Sequence, residues 1–158
     1  MTTDDLTEFA GDVLLRERQG EGEIFLNDGL VEDCGGLDTA IYLSLFGGND
    51  DDTDGRGRKS WWGNFFKNTP RAEKIVSQFQ AAAKGLAVNG ANLKKLEGAA
   101  AADLKWLKEN GLADKIECEA FGENSHRVRL GIKVMKGNSA VFAESYYYEW
   151  GAKNGVHE

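Results

Sequence analysis

The sequence predicts an α+β domain: a short N-terminal β meander, a short helix, an aromatic loop, and two longer helices packed on a C-terminal three-stranded antiparallel sheet. Three observations predict it. Short extended runs alternate with Gly, Asn and Asp turns between Asp12 and Asp33. Apolar residues then recur at helical spacing from Pro70 to Asn110. From Lys115 onward the period changes to two, the signature of half-buried strands.

Taken in order, Asp12 to Glu17, Glu23 to Asn27 and Leu30 to Asp33 read as strands. Gln19-Gly20-Glu21-Gly22 and Asn27-Asp28-Gly29 divide them with residues that tolerate positive φ. Asp38 or Thr39 is placed to N-cap a short helix over Ala40 to Phe46, with Ile41 and Leu45 toward a core and Gly47-Gly48 as its end. Thr69-Pro70 joins a cap to proline at the first helical position, so a helix is expected to start there. Its stripe is Ala72, Ile75, Val76, Phe79, Ala82, Ala83 and Leu86, and Asn89-Gly90 breaks it. A second helix is expected from about Asn92 to Asn110, with Leu93, Leu96, Ala100, Leu104 and Leu107 on one face and Gly111 as C-cap.

In the C-terminal part, Ile116, Cys118 and Ala120 alternate with Lys115, Glu117 and Glu119, and Val128, Leu130, Ile132 and Val134 alternate with Arg127, Arg129, Gly131 and Lys133. Gly122 to Ser125 and Lys136 to Ser139 supply hairpin turns, and Ala140 to Trp150 supplies the third strand. That strand has large groups on both sides. Val141, Ala143, Ser145 and Tyr147 form one; Phe142, Glu144, Tyr146, Tyr148 and Trp150 form the other. If the first side packs on the helices, the second turns its aromatics outward, to be covered by another layer of this chain or by a partner.

The 158 residues suit a single domain over 1–158, able to bury roughly 70% of its extended surface without a disulfide or metal. Residues 1–10 and 151–158 are expected to be flexible, and 48–60 to form a mobile acidic and basic loop. With 19 basic against 26 acidic residues the net charge is −7, and Lys and Arg concentrate on no arm, which argues against a nucleic-acid partner. The start MTTDDLTEFAGD has no apolar h-region after a charged n-region, and no apolar run approaches the ~20 residues of a membrane span. No signal peptide and no membrane partner are expected, and synthesis in the cytosol follows. Cys34 and Cys118 lie far apart without zinc spacing and read as two reduced, partly buried thiols; neither His126 nor His157 has a companion at metal or triad spacing.

One segment, 48-GNDDDTDGRGRKSWWGNFF-66, concentrates unusual chemistry. Asp50, Asp52, Asp54 and Gly55 match positions 1, 3, 5 and 6 of a calcium loop, but Trp61 stands where the bidentate Glu should be, so no metal site is assigned. A glycosidase pair would need two carboxyls ~5 to 9 Å apart, one of them desolvated. Asp50 to Asp54 lie together in a Gly-rich loop where water keeps them ionised, and Glu144 and Glu149 have no evident partner. No nucleophile elbow, P-loop or dinucleotide motif occurs, so no catalytic residue and no cofactor are assigned. Trp61 and Trp62 carry more information. Each can bury ~150 to 250 Å², and adjacent extended residues point oppositely, so one can anchor the loop while the other meets a partner.

The succession 38-DTAIYLSLFGG-48, 60-SWWGN-64, two helices, and a terminal strand ending in 146-YYYEW-150 resembles the Mu-type phage baseplate wedge proteins. The resemblance runs from about Gly11 to Trp150. Ser60 stands where that family usually has Gly, and Asn64 where it usually has Asp, which puts any role of a carboxylate at 64 in doubt. The resemblance implies a structural subunit of a contractile-tail baseplate, present in several copies around a sixfold tail and located in the virion after assembly in the host cytoplasm. The same resemblance implies a subunit that joins wedge subunits to the central hub, with the tail sheath as a further partner, and no enzymatic role. The partner-binding residues then expected are Arg56, Arg58, Trp61, Trp62, Phe142, Tyr146, Tyr148 and Trp150. The rival readings are a carboxylate-dependent peptidoglycan hydrolase of the tail and a calcium-regulated binding module.

Overall fold

The computed structural model describes residues 12–18, 21–24, 26–31, 33–34, 37–48, 64, 70, 74–83 and 87–149. Its class is α+β, with helices covering one face of a C-terminal antiparallel sheet.

The N-terminal strands are β1 (Asp12–Val13), β2 (Leu15–Arg18), β3 (Glu21–Ile24), β4 (Leu26–Asn27), β5 (Leu30–Val31) and β6 (Asp33–Cys34). They form three two-stranded ladders, β2 with β3, β4 with β5 and β1 with β6, all antiparallel. The three expected strands are therefore each split in two, and the last returns to pair with the first. The β4–β5 hairpin turns at Asp28 and Gly29, with φ of 49° and 79°, and two successive positive values give the twist that matches a two-residue hairpin. Leu14, between β1 and β2, is buried.

Helix α1 (Leu37–Phe46) starts earlier than the sequence suggests. Thr39 lies inside it, and its hydroxyl donates to the Val13 carbonyl, tying the helix to β1 rather than capping it. Gly48, at φ 91°, follows the end of α1.

The helix expected from Pro70 begins later. Pro70 is exposed, 74–77 is irregular, and α2 spans only Gln78–Ala83. The reason is tertiary. The Ser77 hydroxyl accepts from Gln80 N (3.0 Å), and the Asp103 carboxylate accepts from Gln78 N (2.9 Å) and Phe79 N (2.8 Å), so the N-terminal donors are satisfied here. The long helix is also divided, into α3 (Gly90–Asp103) and α4 (Lys105–Glu109), at Leu104 with φ −96° and ψ 0°. Asn89 caps α3 by accepting from Asn92 N at 3.0 Å.

Strands β7 (Lys115–Gly122), β8 (Arg127–Lys136) and β9 (Ser139–Glu149) make a sheet in the order β7-β8-β9. Its inner face carries Ala120, Val128, Leu130, Ile132 and Val134, packed with Ile41, Leu45, Phe79, Leu96, Ala100, Leu104 and Leu107 from the helices.

The facing of β9 corrects the sequence reading. Lys136 pairs Ser139 and Met135 pairs Ala140, but Val134 pairs Phe142, leaving Val141 as one extra residue. A one-residue bulge exchanges the two sides of a strand. Without it, Val141 would lie opposite Val134; with it, Phe142 and Tyr146 enter the core at 7% exposure each, while Val141 is 44% exposed.

Candidate partner-binding surfaces

Of the residues expected to bind a partner, Arg56, Arg58, Trp61, Trp62 and Trp150 lie outside the described residues, as do Asp50, Asp52 and Asp54 of the calcium-like match. The other three do not form an outward aromatic face. Phe142 and Tyr146 are buried and Tyr148 packs half-buried against the same core. Tyr146 lies 5.3 Å from Phe46 and 6.3 Å from Tyr42 between ring centroids, and Phe79 lies 5.7 Å from both Phe46 and Tyr148. These edge-on and tilted contacts suit aromatic quadrupoles. They join α1, α2 and β9, which meet in the core through Tyr42, Phe46, Phe79, Tyr146 and Tyr148.

Asn64 is the one described residue of 60-SWWGN-64. Its amide makes a two-way bond to a single backbone residue: Nδ2 donates to Ile75 O (2.6 Å) and Oδ1 accepts from Ile75 N (2.8 Å). An aspartate could accept but not donate, and would set a charge against the Ile75 carbonyl. Asparagine, which both donates and accepts, is thus matched to this position.

A polar junction fixes the neighbouring helix ends. Gly48 N donates to Gln80 Oε1 (2.7 Å), Ser77 N donates to Gly48 O (2.7 Å), and Ser77 Oγ donates to Leu45 O (2.6 Å). Burial pushes the Asp103 carboxyl above its ordinary value, opposed by the N–H groups of Phe79 and Gln78 and the Ser77 hydroxyl. Every polar group here faces another of this chain, so the junction is read as structural. Cys118 is free and half-buried, its thiol pushed up to about 11 by burial first and by Glu97 and Asp103 second. Among the described residues no group of three or more His, Cys, Asp or Glu could hold a metal ion, and no helix is long and apolar enough to cross a membrane.

Two described surfaces face solvent with apolar character. One is the N-terminal β region, where Ile24, Leu26 and Leu30 are more than half exposed. The other is the outer face of the β7-β8-β9 sheet. There the Arg129 guanidinium lies 4.7 Å from the Phe121 ring centroid and Arg127 4.5 Å from that of Tyr147, with Arg129 Nε also 3.2 Å from Glu123 Oε1. At its centre β8 carries Gly131 between Glu119 of β7 and Ser145 of β9. A shallow open trough of about 640 Å³ lies there. On β7, Ala120 N donates to Glu97 Oε1 of α3 at 3.1 Å. Burial pulls the Glu97 carboxyl up, yet the Lys94 ammonium and this N–H outweigh it and hold it below the ordinary value.

Comparison with protein-family models, with curated proteins and with solved structures finds no match.

Proposed function

We propose that this protein is a structural component of a contractile phage-tail baseplate, joining wedge subunits to the central hub and contacting the tail sheath, in several copies around the sixfold tail. The observation that carries the reading is the order and spacing of 38-DTAIYLSLFGG-48, 60-SWWGN-64 and 146-YYYEW-150 over nearly the whole chain. The packing is consistent with it, because Tyr42 and Phe46 of the first segment meet Tyr146 of the last. On this reading those aromatics form the frame, and contacts with wedge and hub subunits fall to Trp61, Trp62, Arg56 and Arg58. Exposed ion pairs from the two arginines would each add only ~0 to 1 kcal/mol and set register more than strength.

The test is co-expression with neighbouring tail gene products followed by size-exclusion chromatography. A stable complex, weakened by Trp61→Ala or Trp62→Ala, is expected. A folded protein that joins none of them sinks the proposal. Turbidity loss of purified cell walls, abolished by one Glu or Asp substitution, would favour the hydrolase instead.

A further inference from the structure

We propose that the free edge of β9 pairs antiparallel with the same edge of a second copy of this chain, across a two-fold axis at Ser145. Such a dimer goes beyond the baseplate reading and does not depend on it.

The two edges of the sheet are built differently. α3 packs on β7, where Ala120 N leaves the ladder and donates to Glu97 Oε1 at 3.1 Å. At the end of the same strand a Cβ on Gly122 would meet Val88 Cγ1 at 2.7 Å, so this edge is closed at both points. Hydrogen-bonded and open pairs alternate along an antiparallel ladder. Because Ala120 N points away from β8, Leu130 turns its N–H and C=O toward Tyr146, which leaves those of Ala143, Ser145 and Tyr147 pointing outward from β9. All three residues are exposed, and among the described residues none has a hydrogen bond beyond the sheet. Open edges template pairing with another chain, and proteins blunt them with Pro, Lys or a bulge. From Phe142 to Tyr148 β9 has none of these, the bulge at Val141 lying just outside.

That stretch is complementary to itself. It is centred on Ser145, and an antiparallel copy in this register sets Ser145 against Ser145 and Ala143 against Tyr147, so outward backbone groups meet outward backbone groups. On the outer face the small Ala143 leaves room for the Tyr147 ring of the other copy. On the inner side Glu144, the one charged side chain of the seven, falls opposite Tyr146 and not opposite its twin, which avoids like charges directly across. Closure favours the second copy over an unrelated strand. Pairing β9 with β9 gives six strands that end on two β7 edges, each covered by its own α3, whereas a foreign strand would bring a new edge of its own.

The test places single cysteines in the full chain, with Cys34 and Cys118 replaced by alanine, and follows disulfide formation in air. In the proposed register the two Ser145 Cα atoms stand about 5.5 Å apart, within reach of a bridge. Ser145→Cys is therefore expected to cross-link about tenfold faster than Val141→Cys, which is 44% exposed but has no twin opposite. By sedimentation equilibrium, wild type should dimerise with concentration, and Ser145→Lys, which opposes two ammonium groups, should weaken the dimer about fivefold. Added salt should strengthen it, since each copy carries −7. Ser145→Cys is nearly isosteric, so the cross-linking comparison decides the matter if Ser145→Lys does not fold. Equal cross-linking rates, a wild type monomeric at every concentration, or a dimer untouched by a folded Ser145→Lys overturns the proposal. Capture of another protein's strand by this edge, without a self-dimer, overturns it equally.

Discussion

Deleting Val141 should be nearly harmless, whereas deleting Ala143, two residues later, should not. Val141 is the extra residue of the β9 bulge and is 44% exposed. Without it, Ala140 pairs Met135 and Phe142 follows directly opposite Val134, so every aromatic keeps its face. The cost should stay below about 1 kcal/mol. Removing Ala143 instead keeps Tyr146 opposite Leu130 only if the bulge closes, which puts Val141 opposite Val134 and turns Phe142 out. Exchanging a core phenylalanine for valine loses transfer energy and leaves a hole, together about 2 to 3 kcal/mol. Urea unfolding reads the difference as a midpoint shift of roughly 1 M for an m-value near 2 kcal/mol/M. Equal costs for the two deletions, or a larger one for Val141, would refute the assignment of the bulge and with it the facing of β9.

Asp103→Ala should cost about 1 to 3 kcal/mol in the same assay, since it strips acceptors from Gln78 N, Phe79 N and the Ser77 hydroxyl. Because burial raises the Asp103 carboxyl, the native state binds its proton more readily than the unfolded chain. Its contribution is fully present below the unfolded value and is lost as pH rises through the folded one. On going from neutral to mildly acidic pH, wild type should therefore gain stability relative to Asp103→Asn; the opposite sign would contradict the placement. Asn64→Asp should cost about 1 to 2 kcal/mol by leaving the Ile75 carbonyl without its donor, and a neutral result by thermal melting would show that the clamp is unimportant. Gly47→Ala sets a methyl against the Leu43 carbonyl and Ile75 Cγ2, for an overpacking cost of about 1 to 3 kcal/mol; an unchanged melting temperature would mean that this junction is loose. In a Cys34→Ser background, Cys118 with its thiol near 11 should carry roughly two hundredfold less thiolate at about pH 8 than an exposed cysteine, and alkylate correspondingly slowly.

The sequence by itself determined the features that depend on neighbours in the chain. The Asp28-Gly29 turn and the alternation on β7 and β8 follow from local backbone chemistry and side-chain period, and each lies where the residues imply. Tertiary structure decided what local chemistry leaves open. Thr69-Pro70 is a sound start signal, yet α2 begins at Gln78 because Ser77 and a carboxylate from distant Asp103 satisfy its first donors. In β9 both faces are apolar enough to be buried, so alternation alone cannot choose between them. One bulged residue makes the choice, sending Phe142, Tyr146 and Tyr148 into the core and leaving Val141, Ala143, Ser145 and Tyr147 on the face with the trough.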